Sequence, residues 1–295
     1  MQITVPEIEV IKQEPGIEGI YKQVELAGRT CYQSFDKITE TSAKDFTNRM
    51  MKSGHHAMLE HSSIYLSIPN NETTSDIIQI FLELDKVWTK VEFKDGVYFI
   101  STNLRVIVNY FVLDEIIPYL CEPTDYHHKR ITIRFTTAID ITREYNRHRV
   151  NSMAEMSTRY CNFSKNKFGN GIKVSSNVDI SQEEAEQYLK DWGDSPFYRM
   201  CKSITLDEGD SFDIIDTWLF ANLTCEWSYL KLLDLGWKPQ QARRVLPLDT
   251  HSELVHTAFE EDWYHFLSLR SSDYGATGVH PDAAYLANKV YEAIR

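Results

Sequence analysis

The sequence predicts an α+β fold: a mixed sheet flanked by helices, with one long central or interface helix, in a single domain spanning residues 1–295. Three observations predict it. Ile64, Leu66 and Ile68, and again Ile131, Ile133 and Phe135, alternate at the period of a strand. Residues 211–235 carry apolar side chains at helical spacing. Strands and helices follow one another with no regular βαβ beat, which argues against a parallel, doubly wound sheet.

Along the chain, residues 42–54 read as a helix. Ser42 can cap its start, Ala43, Phe46 and Met50 share one face, and Gly54 suits the position just past its end. Pro69 stops the strand that begins at Ile64. Asp95-Gly96, between Val91–Phe93 and Val97–Ile100, is a hairpin turn. Residues 102–112 can form a helix. The strand pattern at 131–135 gives way to a helical one over 138–147. Residues 166–171, NKFGNG, form a loop, and Ser181 with Glu184 makes a capping box for a short helix. In 211–235 the stripe is Ile215, Trp218, Leu219, Asn222, Cys225, Tyr229 and Leu232, closed by Gly236. Pro239 and Pro247 bracket a short helix, and residues 260–270 and 281–293 are helical.

Charge is distributed unevenly. The formal net charge is −12, yet residues 129–173 hold ten Lys/Arg against three acids, a local balance of +7 that leaves −19 elsewhere. The far field repels nucleic acids and anionic membranes, so an anion must be drawn in locally. The five cysteines (31, 121, 161, 201, 225) form no CxxC pair and read as reduced thiols of a cytoplasmic protein. No apolar run is long enough for a bilayer, and no signal-peptide pattern opens the chain.

The densest chemistry is RHRVNSMAEMSTRY, residues 147–160. Arg147, His148 and Arg149 fan out from a helix end and can grip an extended anion, since guanidinium groups match phosphate oxygens. Ser157 and Arg159, if extended, share a face, and the backbone of Met156 and Thr158 adds N–H donors. Taken alone, this cluster reads first as a solvated basic surface, with a nucleic-acid contact as the second plain alternative. There is no GxGxxG and no P-loop, so any nucleotide phosphate must be held by arginine and histidine. In GHHAMLEH, residues 54–61, His55, His56, His61 and Glu60 lack the HExxH spacing, and no metal is expected. Arg243-Arg244 lies in a short apolar helix. Arg270 ends FLSLR, either as a helix-dipole partner or aimed at a ligand.

Together these segments resemble the flavin-dependent thymidylate synthases. RHRVNSMAEMSTRY is similar to that family's signature. GHHAMLEH, ARRVLPL (242–248) and FLSLR with His280-Pro281 are similar to its other segments, in order. The resemblance covers roughly residues 27–69 and 130–293 and leaves 70–128 and 165–200 as insertions. It implies methylation of dUMP to dTMP, with methylenetetrahydrofolate as carbon donor and FAD reduced by NADPH, in a homotetramer whose active sites lie between subunits. It also implies roles. Arg270 activates the uracil in place of a cysteine nucleophile. Glu144, Arg147, Glu155, Met156, Ser157, Thr158, Arg159 and Arg243 join it in binding dUMP. His55, Arg147, His148, Arg149, Glu155 and His265 contact FAD. Three positions depart from the family pattern: Glu144 stands for a common Gln, Cys31 for a hydroxyl, and Phe259–Glu261 for a polar Asn-x-Arg stretch. The alternatives are a nucleic-acid-binding protein using residues 129–173, and a flavin enzyme for another pyrimidine nucleotide, such as dCMP.

Overall fold

A computed structural model describes residues 1–84, 86–191 and 213–295. The chain opens with β1 (Gln2–Thr4), β2 (Glu7–Ile11), α1 (Gly16–Tyr32) and α2 (Ser42–Lys52). There follow β3 (Ile64–Pro69), α3 (Ser75–Glu83), β4 (Lys90–Lys94), β5 (Val97–Thr102), α4 (Leu104–Tyr110) and α5 (Leu113–Ile116). β6 (Arg130–Ala138) runs straight into α6 (Ile139–Tyr145), then come β7 (Ser152–Glu155), β8 (Lys173–Ser175) and α7 (Gln182–Asp191). The last elements are α8 (Ile214–Asp234), α9 (Pro239–Ala242), β9 (His251–Phe259), α10 (Glu260–Arg270) and α11 (Pro281–Ile294).

The organising sheet is antiparallel, in the order β2-β6-β9-β7. The alternation in β6 sends Ile133 and Phe135 to one face, where Trp263 and Phe266 of α10 and Leu286 and Val290 of α11 cover them. Side chains of this size stabilise the fold by about 1.5–3 kcal/mol each when fully buried. On the other face α1 packs closely, with Ala27 against Ala154 and Val255. A second antiparallel sheet, β3-β5-β4, shares a core with α1, α2 and α4. β1 and β8 form the parallel pair.

The sequence reading meets the structure closely at the turns. Asp95 and Gly96 both have positive φ, 49° and 80°, as the tight β4–β5 hairpin requires. Gly54 (φ 72°) follows the end of α2. At the start of α2, however, Ser42 is the first helical residue rather than the cap. Its hydroxyl accepts from the Thr39 N–H and donates to Glu25, so it is spent holding α2 against α1. The long helix is capped by Asp213, whose carboxylate accepts from the Asp216 N–H at 2.8 Å. The expected start at Ser211 lies outside the described residues, as does part of the 165–200 segment. α8 buries Leu219, Asn222 and Tyr229 against the core beneath β1 and β8.

β9 has no alternating signature because it lies between β6 and β7 and is buried on both faces. Several of its polar residues are paired internally. Thr257 Oγ1 lies 2.9 Å from Thr132 Oγ1 and 3.0 Å from His61 Nδ1. Buried polar groups with partners are tolerated in a core, and they blur the pattern that marks a strand.

Candidate active site

α6 delivers the basic triplet. It follows β6 without a loop and ends at Tyr145, whose buried ring donates its hydroxyl to the Ala283 carbonyl at 2.6 Å. The turn after it presents Arg147 and Arg149 to solvent and turns His148 inward. Neither arginine has an ion-pair partner among the described residues. His148 packs on Phe266, with ring centroids 4.8 Å apart.

Arg270, at the end of α10, reaches this turn. Its Nε donates to His148 Nε2 (3.2 Å), Nη1 to Glu144 Oε2 (2.6 Å) and Nη2 to the Glu144 carbonyl (3.1 Å). Because His148 Nε2 accepts, its proton sits on Nδ1. Burial, the Arg270 charge and His265 together push the His148 pKa down to about 4, so it is neutral near pH 7. His265 is exposed on α10, with its ring centroid 6.4 Å from that of His148. Glu144, His148, His265 and Arg270 thus form one cluster. The Arg270 guanidinium is fixed by side chains and remains partly exposed.

A second group forms on another flank of α6. A cavity of about 540 Å³ is lined by Arg143, Glu155, Ser157, Thr158, Arg243 and Arg244, among others. Adjacent residues of a helix project about 100° apart, so Arg143 faces this cavity while Glu144 faces Arg270. Arg243 Nη1 lies 3.3 Å from Thr158 Oγ1. Ser157 is not extended towards Arg159. It opens a turn in which its carbonyl accepts from the Tyr160 and Cys161 N–H groups, and Arg159 swings out to Gln240. The expected shared face is therefore absent, because turn hydrogen bonds replace a strand ladder there. Glu155 accepts from Thr142 Oγ1 (2.7 Å), Ser252 Oγ (3.1 Å) and Asn146 Nδ2 (2.9 Å), so both oxygens are occupied. Met156 is buried, and its N–H donates to the Glu253 carbonyl.

His55 stands apart from both groups, exposed at the start of the 3₁₀ turn His56–His61. Sequence reasoning missed Arg143 and Arg244 as cavity residues. The available signals were the one-turn spacing of Arg143 from Arg147 and the adjacency of Arg244 to Arg243. Among the described residues no group of three or more His, Cys, Asp or Glu is placed to hold a metal ion. None of their helices is long and apolar enough to cross a membrane.

Residues 123–295 match the family described as thymidylate synthase complementing protein. The chain belongs to that family. The match takes in α6, the basic turn, the cavity and α10. Among curated relatives, the flavin-dependent thymidylate synthase of Thermosipho melanesiensis is 26% identical over 168 residues, 56% of this chain and 64% of that enzyme. That of Corynebacterium glutamicum is 33% identical over 67 residues, 21% of this chain and 27% of its own length. The matched segments thus span less than two thirds of either relative. A crystal structure of a UMP/dUMP methylase, PolB from Streptomyces cacaoi, bound with 5-Br dUMP, aligns over 99% of this chain and 91% of its own. Its identity is 18% and its TM-score 0.42, too low to establish a shared fold by itself.

Two of the family departures acquire contacts. Glu144 pairs with Arg270, as above. Glu261 accepts from Lys90 and from His128 Nδ1, while Phe259 lies beneath Lys90 and Arg130, 4.5 and 5.5 Å from its centroid. The Phe259–Glu261 stretch is therefore engaged by β4, by the chain just before β6 and by the first residue of β6. At the third departure, Cys31 is driven up to about 12, chiefly by burial and then by Glu155. Its carbonyl accepts from the Ser157 N–H.

Proposed function

We propose that the protein methylates dUMP to dTMP, with methylenetetrahydrofolate as carbon donor and FAD, reduced by NADPH, as the source of reducing equivalents. The observation that carries this reading is the fixed guanidinium of Arg270, 126 residues from Glu144 in sequence yet bonded to it and to His148. Uracil C5 becomes nucleophilic either by thiolate addition at C6 or by withdrawal of charge onto the ring carbonyls. Among the described residues the thiolate route has little support: burial raises Cys31 to about 12 and Cys161 to about 11, and raises Cys121 and Cys225 as well, while Cys201 lies outside the described residues. A desolvated donor at a developing oxyanion is worth roughly 3–4 kcal/mol of transition-state stabilisation. Arg270 is that donor.

The donor set suits FAD. Arg147 and Arg149 carry exposed positive charge without internal anions, which fits a diphosphate, and His148 Nδ1 offers a further N–H. FAD supplies, when bound, the hydride chemistry that no side chain provides. Arg147, His148, Arg149 and His265 would hold it, and His55, which stands apart from them within one subunit, would reach it only from another subunit. Glu155 braces α6 between the two ligands. Ser157, Thr158 and Arg243 take the phosphate and sugar; the Met156 N–H, bonded to the Glu253 carbonyl, is not free to join them, and Arg159 joins them only by leaving Gln240. Arg270 and Glu144 meet the base.

Arg270 is not part of the lining of the Ser157–Arg243 cavity. A homotetramer resolves this, the cavity of one subunit facing the Arg270 cluster of another, in a cytoplasmic enzyme. The test is to purify the protein, record its absorption spectrum and assay dTMP formation from dUMP, methylenetetrahydrofolate and NADPH. A colourless protein that takes up no FAD on titration and forms no dTMP removes the proposal.

A further inference from the structure

We infer that Glu144 and Arg270 read the pyrimidine edge as a pair, Glu144 accepting an N–H of the base and Arg270 donating to the acceptor beside it. The inference rests on the functional reading above and narrows its substrate class. Glu144 Oε2 is taken by Arg270, while Oε1 has no protein donor among the described residues. Arg270 commits Nε and one N–H on each terminal nitrogen, so Nη1 and Nη2 each keep one N–H unused. The two side chains remain 32% and 20% exposed, so a ligand can reach them. What they offer is one acceptor beside two donors.

A carboxylate can only accept, whereas the amide of a Gln turns either its N–H₂ or its oxygen to a ligand. With Glu at 144 the base must therefore bring an N–H. Uracil brings N3–H between two carbonyls. Cytosine brings its 4-amino group beside the N3 and O2 acceptors. Each edge matches the pair in polarity in one register, uracil through N3–H and cytosine, shifted by one position along the edge, through its 4-amino group, so the protein binds dCMP as well as dUMP. A ring with no N–H on this edge leaves the Glu144 carboxylate facing a lone pair. A site built around a polar contact discriminates strongly against ligands that cannot complete it.

The experiment is a calorimetric titration of the full-length protein with dUMP, dCMP and the monophosphate of 2-pyrimidinone deoxyriboside, which lacks the N–H without adding bulk. The expected result is that dUMP and dCMP bind within about 10-fold of each other, and both on the order of 10- to 100-fold tighter than the donor-free nucleotide. In Glu144→Gln, the same size as wild type, the gap closes to within about 3-fold, because the amide can turn its N–H to the ring lone pair. The inference fails if the donor-free nucleotide binds wild type as tightly as dUMP, if dCMP is rejected, or if Glu144→Gln leaves the gap unchanged. Turnover of dUMP with no gap removes this inference alone. Absence of binding by every pyrimidine monophosphate removes the functional reading with it.

Discussion

Asn146 and Glu155 join the end of α6 to β7: Asn146 Nδ2 donates to Glu155 Oε2 at 2.9 Å, while Thr142, one helical turn earlier, donates to Oε1 at 2.7 Å. The carboxylate thus grips the last turn of the helix that leads into Arg147–Arg149. Glu155→Ala strands two donors, Ser252 Oγ and Asn146 Nδ2, while Thr142 Oγ1 keeps the Ile139 carbonyl, at about 1–3 kcal/mol for each group left unpaired in the interior. We expect a destabilisation of about 2–4 kcal/mol, read from the urea midpoint, together with weakened FAD retention. An unchanged midpoint would show that Glu155 does not brace the helix.

Arg270→Ala removes the three bonds to Glu144 and His148. The buried core beside it, Phe266 and Leu267, is untouched. The variant is expected to fold and keep its FAD, while kcat for dTMP formation drops at least 100-fold. Arg270→Lys is expected to fare little better, because an ammonium cannot reproduce a planar three-way grip. Turnover within about 3-fold of wild type would take Arg270 out of the chemistry.

Arg143 and Arg244 add two guanidinium groups to the cavity that holds Ser157 and Arg243. Replacing either by Leu should raise KM for dUMP about 10-fold with kcat little changed, since a phosphate contact is made equally in the ground and transition states. The affinity for dUMP in each variant should also depend less on salt. A KM unmoved by both substitutions would mean that the phosphate sits elsewhere.

His61 and His256 are fully buried, and desolvation lowers each to about 3. Both are neutral in the folded protein, so the unfolded chain binds more protons once the pH falls below about 6.5. Stability should be constant above that value and fall as the pH drops towards 3. Near pH 5 each histidine accounts for a loss of about 2 kcal/mol. Denaturant midpoints taken from pH 7.5 to 4.5 check this, and a flat profile would contradict it.

Cys31 and Cys161 carry thiols held near 12 and 11. A neutral thiol is a poor nucleophile. Native protein at pH 8 should resist alkylation at both positions, and Cys31→Ser with Cys161→Ser should keep dTMP formation within about 5-fold of wild type. Loss of activity at the uracil-addition step would reinstate a sulfur nucleophile.

Much of the local structure could be read along the chain. The β4–β5 hairpin follows from Asp95-Gly96, β6 from its alternation, and the Ser181–Glu184 capping box from residue types at fixed spacing. These depend on steric and hydrogen-bonding rules acting over a few residues. β9 and α1 could not be read in this way. β9 is central and polar, and α1 buries Glu25 and Arg29 as an internal ion pair at 2.7 Å that imitates a solvated surface. The basic turn and its likeness to a family were also legible, because a motif of fourteen residues is itself local.

Residue types and near-neighbour spacing are properties of the chain, and they determined the turns, the strand pattern of β6 and the inventory of guanidinium and imidazole groups. Which of those groups meet was decided only when the sheet closed. Packing of α10 on β6 carried Arg270 across 122 residues to His148, and the 100° step between neighbours on α6 sent Arg143 and Glu144 to different sites. No local rule links such distant positions, since their approach follows from burying Phe135, Trp263 and Phe266 in one core.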